Sequence, residues 1–264
     1  MSLYPFELEV NLIQLAVMIV LGTWNILKNK KRMDTSHKLF LWGIVAYIFM
    51  NLYWIAMIVV DGGGTYKIFT ACDTAFIAMF LIWTSMYEVK RRLDYKASTG
   101  KKTLYFSALW SLWNTIWWIL WSGKYTINIL WGIVLFLLFY EVFYSVESSK
   151  TMSKKCMTIL GILIGCLVVF EVPMYLIGSG NIIYNICDWI CAISWLVICC
   201  LFLYLAFKNK SGRTNYLMAG FLFAELAQDL TDGIKYTLAL CMVTLFLSLL
   251  LLYYRTDELW EVAE

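Results

Sequence analysis

Residues 216–237 read YLMAGFLFAELAQDLTDGIKYT and combine a membrane-length apolar stretch with a line of polar side chains. Four of these polar residues lie at offsets of 0, 3, 4 and 7, which is the spacing of a single helix face: Glu225, Gln228, Asp229 and Asp232. The pattern predicts a transmembrane helix with one polar face. A polar face inside the membrane points to a binding site rather than to contact with lipid.

The composition of the whole chain is that of a polytopic membrane protein. Of its 264 residues, 62% are hydrophobic and 15% are charged, whereas about 45–50% of a soluble domain is apolar. The net charge of +3 is too small a basic excess to indicate nucleic acid as a partner. We therefore expect an all-α fold, a bundle of transmembrane helices in contact with the lipid bilayer.

Nine stretches are long and apolar enough to be spans, since a span needs about 20 mainly apolar residues. They cover residues 9–27, 39–60, 67–88, 103–122, 125–146, 156–178, 181–207, 215–232 and 234–254. The eighth is the least apolar of them. However, residues 216–254 are too long for a single span, and Thr231-Asp232-Gly233 can form the turn that divides them.

The basic residues mark one side of the predicted membrane. Most of the 21 lie within residues 28–38, 90–102, 150–155 and 208–213 or at Arg255. With nine spans, all of these segments lie on the same side, and the positive-inside rule places that side in the cytoplasm. We therefore expect the amino terminus outside, the carboxyl terminus in the cytoplasm, and the protein in the plasma (inner) membrane.

Short matches between the two halves of the chain indicate an internal duplication. A Lys-Tyr-Thr triplet opens both the fifth and the ninth span, and a Cys-Asp pair lies early in both the third and the seventh. The predicted organisation is a first helix with a basic loop, two parallel four-helix repeats and a short cytoplasmic tail, over residues 1–38, 39–146, 156–254 and 255–264 respectively. Chance matches between Trp- and Leu-rich helices are the alternative.

Carboxylates inside spans are the first candidates for function, because a charge at the middle of a membrane helix costs roughly 2.5–3.5 kcal/mol. Glu171 is followed two residues later by Pro173, which removes a backbone hydrogen bond and favours a broken-helix binding site. The predicted ligand-binding residues are Glu171, Asp188, Glu225, Gln228, Asp229, Asp73, Asn51, Asn114, Asn185, Trp117 and Trp118.

Several of these residues have structural alternatives. Asn51 and Asn114 can link helices through hydrogen bonds instead of binding a ligand. The tryptophans around Asn114 either line a pocket for an organic ligand or pack in the core. A proline such as Pro173 is also a common structural feature of membrane helices.

No catalytic motif, metal site or cofactor is expected. The only histidine, His37, falls in a basic loop on the predicted cytoplasmic side, which argues against a histidine-based metal or catalytic site within the spans. The eight cysteines lie in or beside apolar runs and are expected to be reduced packing residues.

Three functions fit these features. The leading hypothesis is a small-solute permease, in which two repeats enclose an acidic site for a cationic solute and a coupling proton or sodium ion. The second is a receptor or signalling subunit, whose basic loop at 90–102 and tail at 257–264 contact a separate cytoplasmic protein. The third is an intramembrane lipid enzyme that uses paired carboxylates as acid and base, but it lacks a nucleophile or metal set.

Overall fold

The computed structural model describes residues 4–61, 69–92, 101–148, 151–177, 180–210, 212–230 and 234–263, which form nine α-helices joined by short connections. In chain order the helices are α1 (Tyr4–Asn29), α2 (Thr35–Asp61), α3 (Phe69–Arg92), α4 (Lys101–Ser122), α5 (Tyr125–Ser148), α6 (Lys154–Ile177), α7 (Ile182–Lys208), α8 (Arg213–Leu230) and α9 (Ile234–Ala263). No strand occurs in this part of the chain, so the all-α prediction is confirmed.

Six helices, counted over the described ranges, are long and apolar enough to cross a membrane. They supply the segments Leu8–Asn29, Thr35–Val60, Tyr125–Glu147, Lys154–Ile177, Ile182–Lys208 and Ala239–Val262. The other helices, α3, α4 and α8, are richer in polar and aromatic residues. For example, α4 carries five tryptophans, and α8 has only 18 residues. The chain is thus a helical membrane bundle, with fewer strongly apolar spans than the nine predicted.

The first compact unit comprises Met1–Ser148 and Leu252–Glu264. Within it, α2 packs against α1 and α3, while α5 packs against α3 and α4. Glycines allow two of these helix pairs to approach closely, because Gly43 faces the backbone of α3 at Ala78 and Gly132 faces Thr115 of α4.

The second compact unit comprises Ser149–Leu251. Here α7 lies between α6 and α8 and contacts both. Gly220 of α8 lies where three helices meet, because a Cβ at this position would be 3.2 Å from both Phe202 of α7 and Leu247 of α9. The second unit is therefore organised around α7.

The last helix contributes to both units, since α9 is continuous and the division between the units falls at Leu252. The sequence predicts a tail from residue 255, but the structure continues the helix to Ala263. Arg255, Thr256 and Leu259 are all buried. Packing against the first unit, rather than hydropathy, extends the helix beyond the apolar run. The internal duplication stays a prediction.

Candidate functional site

Two of the predicted acidic residues lie on α6 and α7, which pack against each other. Glu171 lies on α6 and is only 4% exposed, and Asp188 lies half-buried on α7. Both carboxylates lie close enough to Cys191 on α7 to affect it electrostatically. We call Glu171, Asp188 and Cys191 the acidic cluster of the second unit.

Three polar residues at offsets of 0, 4 and 7, Asn181, Asn185 and Asp188, form a polar stripe near the start of α7, and their environments differ. Asn181 caps the helix, because its side-chain oxygen accepts a hydrogen bond of 2.9 Å from the backbone N–H of Ile183. Asn185 is exposed. Asp188, the third residue of the stripe, is the one that belongs to the acidic cluster.

The third predicted acid, Glu225, lies half-buried on α8 in the same unit. The α7–α8 contact that positions it is aromatic, with the rings of Trp195 and Phe223 5.5 Å apart. Gln228 and Asp229 lie in the last turn of α8, but their side chains fall outside the described part of the structure. Of the polar face predicted at Glu225, Gln228, Asp229 and Asp232, the structure therefore describes only the side chain of Glu225.

Charge is distributed unevenly along the second unit. The described basic residues of this unit lie near the start of α6, the end of α7, the start of α8 and the start of α9: Lys154, Lys155, Lys208, Lys210, Arg213 and Lys235. Glu171 lies in the last two turns of α6, and Asp188 lies in the second turn of α7. Five of these six basic residues therefore lie at the opposite ends of their helices from the acidic cluster, and Lys235 is the exception.

The first unit holds the predicted amides, and both bond to their own helices. The side-chain NH2 of Asn51, which is 1% exposed, donates to the carbonyl oxygen of Tyr47 at 3.0 Å. The NH2 of Asn114 donates to the carbonyl oxygen of Trp110 at 2.8 Å. Such bonds satisfy a buried amide locally. The side chain of Asp73, early in α3, lies outside the described part.

The predicted tryptophans pack together. Trp117 and Trp118 are both buried. Trp117 stacks with Trp113 at 6.1 Å between ring centroids, and Trp118 contacts Trp131 of α5 at 5.7 Å. The second contact joins α4 to α5, and both favour the packing interpretation of these residues.

A buried charged cluster in the first unit escapes the sequence analysis. Glu141 on α5 forms an ion pair with the ammonium group of Lys90 on α3 at 2.9 Å, and Lys90 Nζ lies 4.1 Å from the ring centroid of Tyr144. Arg255 on α9 is buried and donates to Glu258 at 3.1 Å. Glu141 is the one acid within the apolar stretch 125–146, and this is the signal that could have identified it.

His37 lies in the first turn of α2 and is fully buried, whereas the sequence analysis assigns it to a basic loop. Its Nδ1 lies 2.6 Å from Oδ1 of Asp34, whose other oxygen pairs with Arg92. Burial raises the pKa of Asp34, but the hydrogen bonds from His37 and the charges of His37 and Arg92 outweigh burial and hold this pKa below its ordinary value.

No three His, Cys, Asp or Glu residues in the described ranges lie close enough together to hold a metal ion. Comparison of the chain with protein-family models, with curated proteins and with solved structures finds no match. Function must therefore be argued from the two charged clusters themselves.

Proposed function

We propose that the protein is a small-solute permease whose substrate-binding site is the acidic cluster of the second unit. The observation that carries this proposal is that Glu171 and Asp188 lie on two apolar spans that pack together and are both within electrostatic range of Cys191. Ionisable residues are rare inside membrane helices and generally mark a pathway for a substrate or an ion.

The chemistry of the cluster favours a cation as the transported group. Carboxylate oxygens accept hydrogen bonds from an ammonium group and are also ligands for metal ions. Pro173 lies two residues after Glu171 and lacks the N–H that would bond the carbonyl of Val169. A carbonyl oxygen freed in this way is a further acceptor of the kind that broken helices offer to cations in transporters.

Proton exchange gives this site a means of coupling. A proton and a cationic solute compete for the same buried carboxylate, because each of them neutralises its charge. Movement of protons out of the vesicle can then drive uptake of the cation in exchange. Asp188 and Glu225 are half-buried and are therefore more exposed to solvent than Glu171.

Uptake into vesicles tests the proposal. The full-length protein is reconstituted in liposomes with an imposed proton or sodium gradient and is supplied with labelled primary amines, diamines and quaternary ammonium ions. We expect uptake of at least one of these cations by the wild type and a loss of about tenfold or more in Glu171→Gln, since an ion pair in a poorly hydrated site contributes at least 1.4 kcal/mol. Glu9→Gln, at an exposed position of α1, is the matched control.

Uptake of none of the three classes, or equal uptake by wild type and Glu171→Gln, would overturn the permease proposal.

One feature supports a second candidate, a receptor or signalling subunit. Because α9 is one continuous helix shared by the two units, displacement of its first part can move the residues from Leu252 onward. Binding of a cation without uptake would favour this alternative.

A further inference from the structure

Arg255 is a buried cation in the part of α9 that belongs to the first unit. Its side chain is 4% exposed and lies within the candidate span Ala239–Val262. Nη1 donates to Glu258, whereas Nε and Nη2 are buried and make no hydrogen bond with any residue that the structure describes. The edge of the Arg255 guanidinium formed by Nε and Nη2 can therefore donate hydrogen bonds to a ligand.

The buried charges around Arg255 do not balance. Arg255 interacts electrostatically with Glu141, and Glu141 is already paired with Lys90 at 2.9 Å. These three side chains are between 4% and 17% exposed and together carry one excess positive charge. Glu258 is 40% exposed, so solvent screens its charge. A buried guanidinium is strongly unfavourable unless its charge and its donors are compensated, and Glu258 contacts only Nη1.

Arg91 shows that the Nε and Nη2 edge of a guanidinium binds a carboxylate in this protein. Its Nε and Nη2 donate to the two carboxylate oxygens of Glu88 at 3.0 and 2.9 Å. Nε and Nη2 are the same two atoms that remain available on Arg255. The planar guanidinium matches two oxygens of one carboxylate or one phosphate through parallel hydrogen bonds.

We infer that Arg255, with Lys90 supplying a second positive charge, forms a binding site for an oxyanion, either a carboxylate or a phosphate. A soluble anion and the headgroup of an anionic lipid both carry this chemistry. The site belongs to the first unit and binds a ligand of opposite charge to that of the acidic cluster. It therefore does not depend on the proposed permease activity.

Ligand-dependent thermal stability tests the site, because a ligand that binds the folded protein raises its melting temperature by mass action. Full-length protein in neutral detergent is heated with sodium phosphate or sodium acetate, with sodium chloride of equal ionic strength as the reference. A second series adds phosphatidic acid, with phosphatidylcholine as its reference. We expect stabilisation by phosphate or acetate if the ligand is soluble, and by phosphatidic acid alone if it is a lipid headgroup.

Arg255→Lys keeps the positive charge but removes the paired donors, so the apparent affinity should fall about tenfold or more. Arg91→Lys is the matched control and should bind like the wild type, because that edge is already occupied by Glu88. Glu141→Gln keeps Arg255 and removes a competing anion, so it should increase the stabilisation. No stabilisation of the wild type by any of these anions, or equal stabilisation of Arg255→Lys, would overturn the inference.

Discussion

Asp34 stabilises the start of α2 in two separable ways. Its Oδ1 accepts a hydrogen bond of 2.9 Å from the backbone N–H of His37, as an N-cap residue does. Its charge interacts with His37 and Arg92. We expect Asp34→Ala to lower the free energy of unfolding by about 1 kcal/mol or somewhat more near neutral pH. Asp34→Asn should lower it less, because the amide oxygen keeps the cap. Thermal denaturation of the detergent-purified variants measures both.

The contribution of the Asp34 charge should depend on pH with a definite sign. The pKa of Asp34 in the folded protein is held below its ordinary value of 3.8, so the unfolded chain binds the proton more readily. The stabilisation is therefore present above pH 3.8 and is lost as the pH falls through the depressed pKa. The difference in melting temperature between wild type and Asp34→Asn should shrink as the pH is lowered from about 5 to about 3. A constant difference would contradict this assignment.

The sequence identifies acids such as Glu171 because a carboxylate inside an apolar span stands out without any structure. It does not decide what a buried amide does. Asn51 and Asn114 bond to carbonyls four residues earlier on their own helices, and this choice depends on side-chain rotamers. Glu141 and Arg255 escape notice because each lies near the end of an apolar run and looks solvated. Their burial depends on helices distant in sequence.

The packing of α4 against α5 depends on Gly132, which faces Thr115 of α4. A Cβ at Gly132 would collide with the Thr115 hydroxyl, which itself donates to the carbonyl of Ser111 at 2.7 Å. We expect Gly132→Ala to reduce the free energy of unfolding by about 1–3 kcal/mol, the usual cost of overpacking. Thermal denaturation of the purified protein measures this loss.

Gly161→Ala on α6 is the matched control. None of the described atoms lies within 4 Å of a Cβ built at that position. Alanine also has a higher helix propensity than glycine, so this variant should be as stable as the wild type or more stable by up to about 1 kcal/mol. If Gly132→Ala were as stable as Gly161→Ala, the close contact between α4 and α5 would be wrong.

Helix positions are largely predictable here because apolar runs and the turns between them are local features. The end of α9 is not. The apolar run ends near Tyr254, yet the helix continues to Ala263. Its last turns are held by non-local contacts, including the ion pair between Lys28 of α1 and Asp257 and the position of Arg32 over the ring of Trp260. No local pattern in residues 255–263 indicates partners more than 200 positions earlier.

The chain divides into two compact units that share α9, and the charged clusters of the two units have net charges of opposite sign. The second unit holds the acidic cluster around Glu171. The first holds Lys90, Glu141 and Arg255, with one excess positive charge. Neither an internal duplication nor a cytoplasmic carboxyl terminus is needed for this division, and both stay predictions.

Equilibrium binding shows whether the acidic cluster binds a cation. The melting temperature of detergent-purified full-length protein is measured with increasing amounts of primary amines, diamines and quaternary ammonium ions. We predict that at least one of these cations stabilises the wild type and Glu9→Gln equally, and that it stabilises Glu171→Gln and Asp188→Asn much less. Stabilisation of the two cluster variants as large as that of the wild type, or none in any protein, would contradict cation binding by the acidic cluster.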